Sequence, residues 1–483
     1  MDSLRNNVIS GTKWASLEKI AFHGIQFVLS IILARLLSPS DYGMIGMLGV
    51  FIAISQVFID GGFSNALIRS QNRSQKDLST VYYCNVVISI VCYVILFLIA
   101  PLVGDFYNIP LLCSLLRVQS LSLIFNSIIA VHITLLTIDI NFKALAISTF
   151  CATIISGIVG IILAYLGIGV WALVAQNLIS SIINVFSILL FCRWKPSFVF
   201  SRDSFKALFS FGSKLLLTNL INKVYANLKP IIIGRYFSSS ELGIYSRGAS
   251  FVEYPIYGIN GILEKVTFPI FASIQDNQEK LLAIYRKYIN IVSLVNVFVC
   301  MCLFALARPI VITLLTEKWE SCIIFLQILC FSLMFEHICS INRNFLLVQG
   351  YSSVVLKLEL IKKILLTLIL FSSIPFGVVG IAVSAVVSTQ IDVFLNTYYT
   401  GKLFKYGYIA QLKDYIPYLL YSLLACIPIY IMSYFELSNI VLLSLGFVVS
   451  SMLYWLVLKH NQYMIALVNL VNEKIWRRKN NRI

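Results

Sequence analysis

Fourteen stretches of mostly apolar residues follow one another between residue 12 and residue 458, with no long polar interval between them. A helix needs about 20 such residues to cross a bilayer. Backbone that enters hydrocarbon must satisfy its own hydrogen bonds, so a chain that repeats this pattern folds as a bundle of membrane-spanning helices. The segments run over 12 to 36, 43 to 67, 81 to 103, 111 to 136, 144 to 166, 168 to 192, 209 to 235, 242 to 270, 289 to 313, 322 to 347, 354 to 375, 377 to 399, 415 to 435 and 438 to 458. Segments one, seven, eight and ten hold several charges each, which suits helices lining a protein interior rather than facing lipid. The expected fold is therefore an all-α integral membrane protein of about fourteen transmembrane helices.

Charge and cysteine content exclude the main alternatives. Charged residues make up only 12% of the 483, about half of what a soluble globular chain carries. The net charge of +16 raises a nucleic-acid partner as a question, but the Lys and Arg residues sit beside apolar spans rather than on a polar segment, so none is expected. The 11 cysteines fall inside or at the edges of spans and form no CxxC pair. Cys300 and Cys302, two apart on a helix, point in different directions. Neither disulfide, metal nor cofactor is expected. No small-residue cleavage site follows a short apolar run near the start, so the first helix is expected to be retained.

Short loops rich in Lys and Arg mark the cytoplasmic side. One alternating set carries Arg69, Arg73 and Lys76, then Arg193, Lys195, Arg202 and Lys206, then Lys280, Arg286 and Lys287, then Lys402, Lys405 and Lys413. The tail adds Lys474, Arg477, Arg478, Lys479 and Arg482, whereas the opposite set has Arg35, Arg235, Arg308, Lys318 and little else. Both termini should be cytoplasmic. The stretch from Arg193 to Lys206 and the tail from Asn461 to Trp476 mix apolar and basic residues at helical spacing and could lie as amphipathic helices on an anionic membrane surface, with a solvated linker the equal alternative for the first.

The chain also resembles itself at an offset near 200. Gly11, Lys13, Arg35, Ser38, Ser40, Asp41 and Gly43 match Gly212, Lys214, Arg235, Ser238, Ser240, Glu241 and Gly243, and Gly167 to Ala172 matches Gly377 to Ala382. Two parallel six-helix bundles follow, a transporter architecture whose substrate site lies between the halves near the bilayer midplane. The expected divisions are an N-terminal bundle over 1–192, a cytoplasmic connector over 193–208, a C-terminal bundle over 209–399, two more helices over 400–460 and a basic tail over 461–483.

Charged side chains inside spans are functional candidates by default. At a rise of about 1.5 Å per residue, Lys13 and Lys214 fall near the inner face, His23, Lys223 and Lys229 nearer the middle, and Arg35 and Arg235 at the outer rim. Arg247 lies below that rim and Glu253 close to the centre; Arg117, Asp60, His337 and Arg343 complete the set. Cations outnumber acids, which suits an anionic group such as a pyrophosphate. The cationic cavity candidates are Lys13, Arg35, Arg117, Lys214, Lys223, Lys229 and Arg247, with Asp60 and Glu253 as candidates for ion coupling. Pro230 and Pro255 can bend or break their helices where those charges lie. The bland readings are snorkelling for the cations at helix ends, a Lys229–Glu253 ion pair, and core packing for His23 and His337.

The opening motifs carry a family resemblance. Gly11-Thr12-Lys13-Trp14, then Ala34-Arg35-Leu36-Leu37-Ser38-Pro39-Ser40-Asp41-Tyr42-Gly43, then Phe58-Ile59-Asp60-Gly61-Gly62-Phe63-Ser64 resemble the start of the Wzx-type polysaccharide flippases. That group shares a superfamily with multidrug and toxin extruders and lipid II flippases. The resemblance implies a non-enzymatic transporter in a bacterial inner membrane, working by alternating access on a lipid-linked oligosaccharide such as an undecaprenyl pyrophosphate sugar. It also implies membrane lipids and other polysaccharide-assembly proteins as partners, and coupling to a proton or sodium gradient.

Three rivals are weighed against it. A membrane-embedded glycosyltransferase or polymerase needs polar catalytic loops, yet the longest non-cytoplasmic connection, from about Arg308 to Ser321, has neither a metal motif nor paired carboxylates. A multidrug exporter for organic cations needs an acidic, aromatic cavity. A scaffold without transport would not need the parallel repeat.

Overall fold

The computed structural model describes residues 24–70, 72–435, 437–466 and 468, and the side chains of 211 and 262–266 lie outside the description. Lys13, His23, Gly11, the first half of segment one and the basic tail beyond residue 468 therefore fall outside it. Among the described residues the secondary structure is helical throughout, with no strand.

The chain splits into two compact units, Met1–Gly243 and Ile244–Ile483. The first holds α1 (Gly24–Leu36), α2 (Pro39–Asp60), α3 (Phe63–Arg69), α4 (Gln75–Tyr107), α5 (Leu111–Gln119), α6 (Leu121–Ile138), α7 (Phe142–Tyr165), α8 (Val170–Phe191) and α9 (Arg202–Tyr236). Next comes α10 (Ser239–Ser273), which begins in the first unit and continues into the second. The second unit goes on with α11 (Gln278–Ala305), α12 (Ala307–Leu315), α13 (Cys322–Leu333), α14 (Glu336–Val348), α15 (Ser352–Ser373), α16 (Gly377–Phe404), α17 (Tyr408–Ser433) and α18 (Asn439–Leu458).

Ten stretches among the described residues are long and apolar enough to cross a membrane, fewer than the fourteen of the sequence reading. The difference has physical causes. The stretch Ser352–Phe404 is one of the ten although it holds both α15 and α16, with a short 3₁₀ turn between them. Helices α9 and α10 have 35 residues each, enough length, but their charges interrupt the apolar run.

The helix starts follow from local chemistry. Ser38 accepts a hydrogen bond from the Asp41 amide while the Asp41 carboxylate accepts from the Ser38 amide, and Pro39 supplies a preset first turn for α2. The same reciprocal box, Ser74 with Asp77, opens α4, and Asn108 closes that helix in the left-handed conformation. Pro230 and Pro255 do not break their helices, since α9 and α10 run continuously through them.

One face of several helices stays apolar and open. On α4, Val87, Val91, Val94, Leu98 and Leu102 recur at three- and four-residue spacing and are all exposed; Leu356, Leu360, Ile364 and Leu368 repeat the pattern on α15. Water penalises such stripes heavily, so they are lipid-facing surfaces.

Residues 193–201 are not helical and the helix begins only at Arg202, so of the two expectations for that stretch the linker is found and the amphipathic helix is not. The segment is stitched to the start of α4. Trp194 Nε1 donates to Gln75 Oε1 at 2.6 Å, the Ser197 amide to Ser79 Oγ at 3.0 Å, and the Ser201 amide to Thr80 Oγ1 at 3.0 Å. Phe63, Leu67, Leu78, Val81 and Val131 form the apolar core beneath it.

In the second unit, α17 and α18 belong to the packed body. Asp414 on α17 receives two hydrogen bonds from Arg286 on α11, at 2.6 and 2.7 Å, and a third from Tyr406 at 2.7 Å. Deeper in, Tyr285 donates to Asn342 Oδ1 at 2.6 Å, Thr400 to the same oxygen at 2.8 Å, and Asn342 Nδ2 to Gln411 Oε1 at 2.9 Å. This fully buried network links α11, α14, α16 and α17, and its low dielectric strengthens each bond.

Candidate functional site: charges within the spans

Helix α4 contains Pro101, which has no amide hydrogen, so the Phe97 carbonyl four residues earlier loses its helical donor. Arg117, at the end of α5, supplies one: its Nε donates to that carbonyl at 3.3 Å, and its guanidinium lies 4.3 Å from the centre of the Phe97 ring. The Phe106 carbonyl meets the same difficulty, because residue 110 is also proline and α4 ends at Tyr107. Arg235 of α9 donates to that oxygen and lies 4.9 Å from the Phe106 ring. Both arginines thus repair backbone acceptors of α4 that proline left open.

Asp60 ends α2 and accepts from Gln56 Nε2 at 3.0 Å, with Lys223 of α9 in electrostatic reach. The structure therefore brings together one candidate acid and one candidate cation. Lys214 and Lys223 are both exposed on α9, and Lys229 is half-buried further along it. Beside Lys214, a Cβ on Gly62 would lie 2.5 Å from the Gly212 carbonyl oxygen and one on Gly212 2.5 Å from that of Gly61, so α9 passes the start of α3 at backbone contact. Arg35 is exposed on α1. These cations all lie in the first unit.

The repeat motif acquires a physical meaning. Ser238 and Glu241 cap α10 by the same reciprocal bonds that Ser38 and Asp41 make at α2, so the polar matches are two copies of one helix start. The copies also touch: Ser40 Oγ lies 2.7 Å from Ser239 Oγ. A methyl group on Gly43 would sit 1.6 Å from the Ser239 carbonyl oxygen, and one on Gly243 1.9 Å from that of Pro39. Only glycine permits this crossing.

In the second unit Arg247 and Glu253 stand six residues apart on α10, so they do not share one helical face. Arg247 lies 6.0 Å from the ring of Trp319, a fully buried side chain, and Glu253 has Tyr245 and Tyr257 as electrostatic neighbours. His337 is buried with Ser293 Oγ at 2.8 Å from Nε2 and Asn296 Nδ2 at 3.3 Å from Nδ1. Both ring nitrogens are engaged in packing contacts, which favours a core role. Four ionisable residues passed over in the sequence reading stand near one another here: Glu336, Glu359, Lys362 and Asp392. Their signal was present, because Glu359 and Lys362 are an i, i+3 pair inside an apolar segment and Asp392 is a lone acid in the next.

All eleven cysteines are free thiols. Among the described residues no group of three His, Cys, Asp or Glu side chains is arranged to hold a metal ion.

Residues 32–324 match the family described as "Polysaccharide biosynthesis protein". The lipopolysaccharide biosynthesis protein WzxC of Escherichia coli (strain K12) is 28% identical over 341 residues, covering 68% of this chain and 67% of that one. The teichuronic acid biosynthesis protein TuaB of Bacillus subtilis (strain 168) is 24% identical over 385 residues, 78% of each. Among solved structures, the lipid II flippase MurJ in an inward closed conformation superposes with a TM-score of 0.77 at 15% identity, covering 92% of this chain and 98% of that one. That likeness shows a shared membrane fold, and the Wzx-type resemblance of the opening motifs agrees with the relatives. Matched over more than half its length, this chain belongs to the polysaccharide biosynthesis protein family of multi-pass membrane proteins.

Proposed function

We propose that this chain is a flippase, not an enzyme, that carries a lipid-linked oligosaccharide, its lipid an undecaprenyl pyrophosphate, from the cytoplasmic to the periplasmic leaflet by alternating access. It would span the bacterial inner membrane fourteen times, with α1, α9 and α10 crossing and α15 and α16 crossing separately. The relatives' names place them in the biosynthesis of lipopolysaccharide and teichuronic acid, and their similarity supports the substrate class. Cations within the spans support an anionic lipid-linked group, with Lys214, Lys223, Lys229, Arg35 and Arg247 the residues to face it.

The junction of the two repeat copies carries the reading. The starts of α2 and α10 meet through two glycines and one serine pair, with the buried Leu242 against Gly46 about one turn further on. A contact made of backbone and hydroxyls separates without exposing much apolar surface, as a gate that opens in every cycle must. The test is a disulfide between Ser40→Cys and Ser239→Cys in a background lacking the native cysteines. Oxidation should stop surface polysaccharide export and reductant should restore it. Full export with the bond formed would overturn alternating access through this gate.

A further inference from the structure

Helices α14, α15 and α16 pack against one another in the second unit, and each carries ionisable side chains near the middle of its apolar stretch. Glu336 and Arg343 lie on α14, Glu359 and Lys362 on α15, and Asp392 on the 28-residue α16. Lys362 is buried, its side chain 7% exposed, and its Nζ is 2.9 Å from Glu359 Oε1. Asp392 has Lys362, Glu336, Glu359 and Arg343 in electrostatic reach, and the Cys339 thiol has Glu336, Asp392, Lys362 and Arg343 around it. Asp392 Oδ1 is itself fully buried and has no hydrogen-bond donor.

Asp392 Oδ1 is buried without a donor, and the carboxylates of Glu336 and Glu359 add negative charge nearby, so its ionised form is costly to keep. Hydrocarbon on the outer face of α15 offers it no donor. A donorless carboxylate oxygen inside such a cluster is the atom on which a proton is held.

We propose that Glu336, Glu359 and Asp392, together with Lys362 and Arg343, form a proton-binding site that holds one exchangeable proton, carried on Asp392 Oδ1. An alkali ion fits this place poorly. It needs several oxygens at once, whereas Glu359 already faces the Lys362 ammonium. A proton needs one oxygen. The site deepens the transport reading by naming the coupling ion, and it rests on that reading only for the link to export.

Infrared difference spectroscopy on the purified full chain in lipid nanodiscs, stepped from about pH 9 to about pH 6, above the range in which exposed carboxylates protonate, reads the proton directly as a protonated-carboxyl band. Wild type should show a band that Asp392→Asn loses. Lys362→Met, which removes the ammonium that faces Glu359, should strengthen the band. Asp392→Glu, which keeps the carboxyl group, should retain the band and shows that loss in the asparagine variant is chemical rather than a failure to fold. Sodium, lithium and potassium, each tested against choline at constant ionic strength, should leave the melting temperature unchanged. No band in wild type, an undiminished band in Asp392→Asn, or a stabilisation by sodium that Asp392→Asn abolishes would each overturn the proposal. Export of surface polysaccharide by the same variants is scored separately. A band with no loss of export in Asp392→Asn removes the coupling role, and failure of the oxidised gate to block export bears on the transport reading alone.

Discussion

Arg117 and Lys229 are both cations within spans by sequence, yet their surroundings ask different things of them. Arg117 answers the carbonyl that Pro101 opened in α4, so its loss leaves a polar acceptor facing an apolar helix surface. A hydrogen bond from a charged donor contributes about 1.5–3 kcal/mol. Arg117→Ala should therefore lower the melting temperature of the purified protein and its abundance in the membrane, and any fall in export should track that abundance. Lys229 is half-buried on α9, beyond the Asp60–Lys223 neighbourhood, and Lys229→Ala should impair export at wild-type abundance. Surface polysaccharide divided by protein level separates the two, and a normalised export defect in Arg117→Ala with unchanged melting would reverse the assignment. Sequence alone could nominate both residues. It could not tell them apart, because the carbonyl that claims Arg117 lies twenty residues away on another helix and becomes an acceptor only through a proline in that helix.

At the scale of elements, the crossing of α2 and α10 is the most demanding geometry in the first unit. A Cβ on Gly43 would meet the backbone of Ser239, and backbone cannot swing aside as a flexible side chain can. Gly43→Val should push the two helix starts apart, and the Ser40→Cys/Ser239→Cys pair placed in that background should no longer oxidise. Disulfide formation at the unsubstituted rate would show that the helices reach this contact by another route. The repeat itself was legible, since a polar pattern recurring at fixed offset exceeds what hydropathy requires. That its two copies touch was not, because a self-match reports similarity and carries no distance. The stretch 193–201 stayed open between helix and linker for a related reason: its mixed spacing suits a helix, but Ser79, Thr80 and Gln75 of α4 offer its backbone and side chains better partners. Asp392 and Lys362 escaped notice because each is one charge in a long apolar segment, and only the packing of α14, α15 and α16 makes them a group.

At the scale of the molecule, the two ends of the first unit differ in charge, and we propose that this difference sets its orientation. The hydrogen bonds of residues 194–201 to Gln75, Ser79 and Thr80 bring two basic connections to the same end, one with Arg69, Arg73 and Lys76 and the other with Arg193, Lys195 and Arg202. Helix α2, of 22 residues, is about 33 Å long and leads to the other end, where Ser38, Asp41, Ser238 and Glu241 cap helices. Lys and Arg in short loops are retained on the cytoplasmic side, and the anionic lipids of that leaflet attract them further. The exposed Phe198 stands among the basic residues, as an aromatic at a membrane interface does. In a background lacking the native cysteines, Ser38→Cys should therefore react with a membrane-impermeant maleimide added to spheroplasts, and Phe198→Cys only after the membrane is opened. The reverse pattern would invert the protein, put the basic connections outside, and require the gate at Ser40 and Ser239 to close toward the cytoplasm.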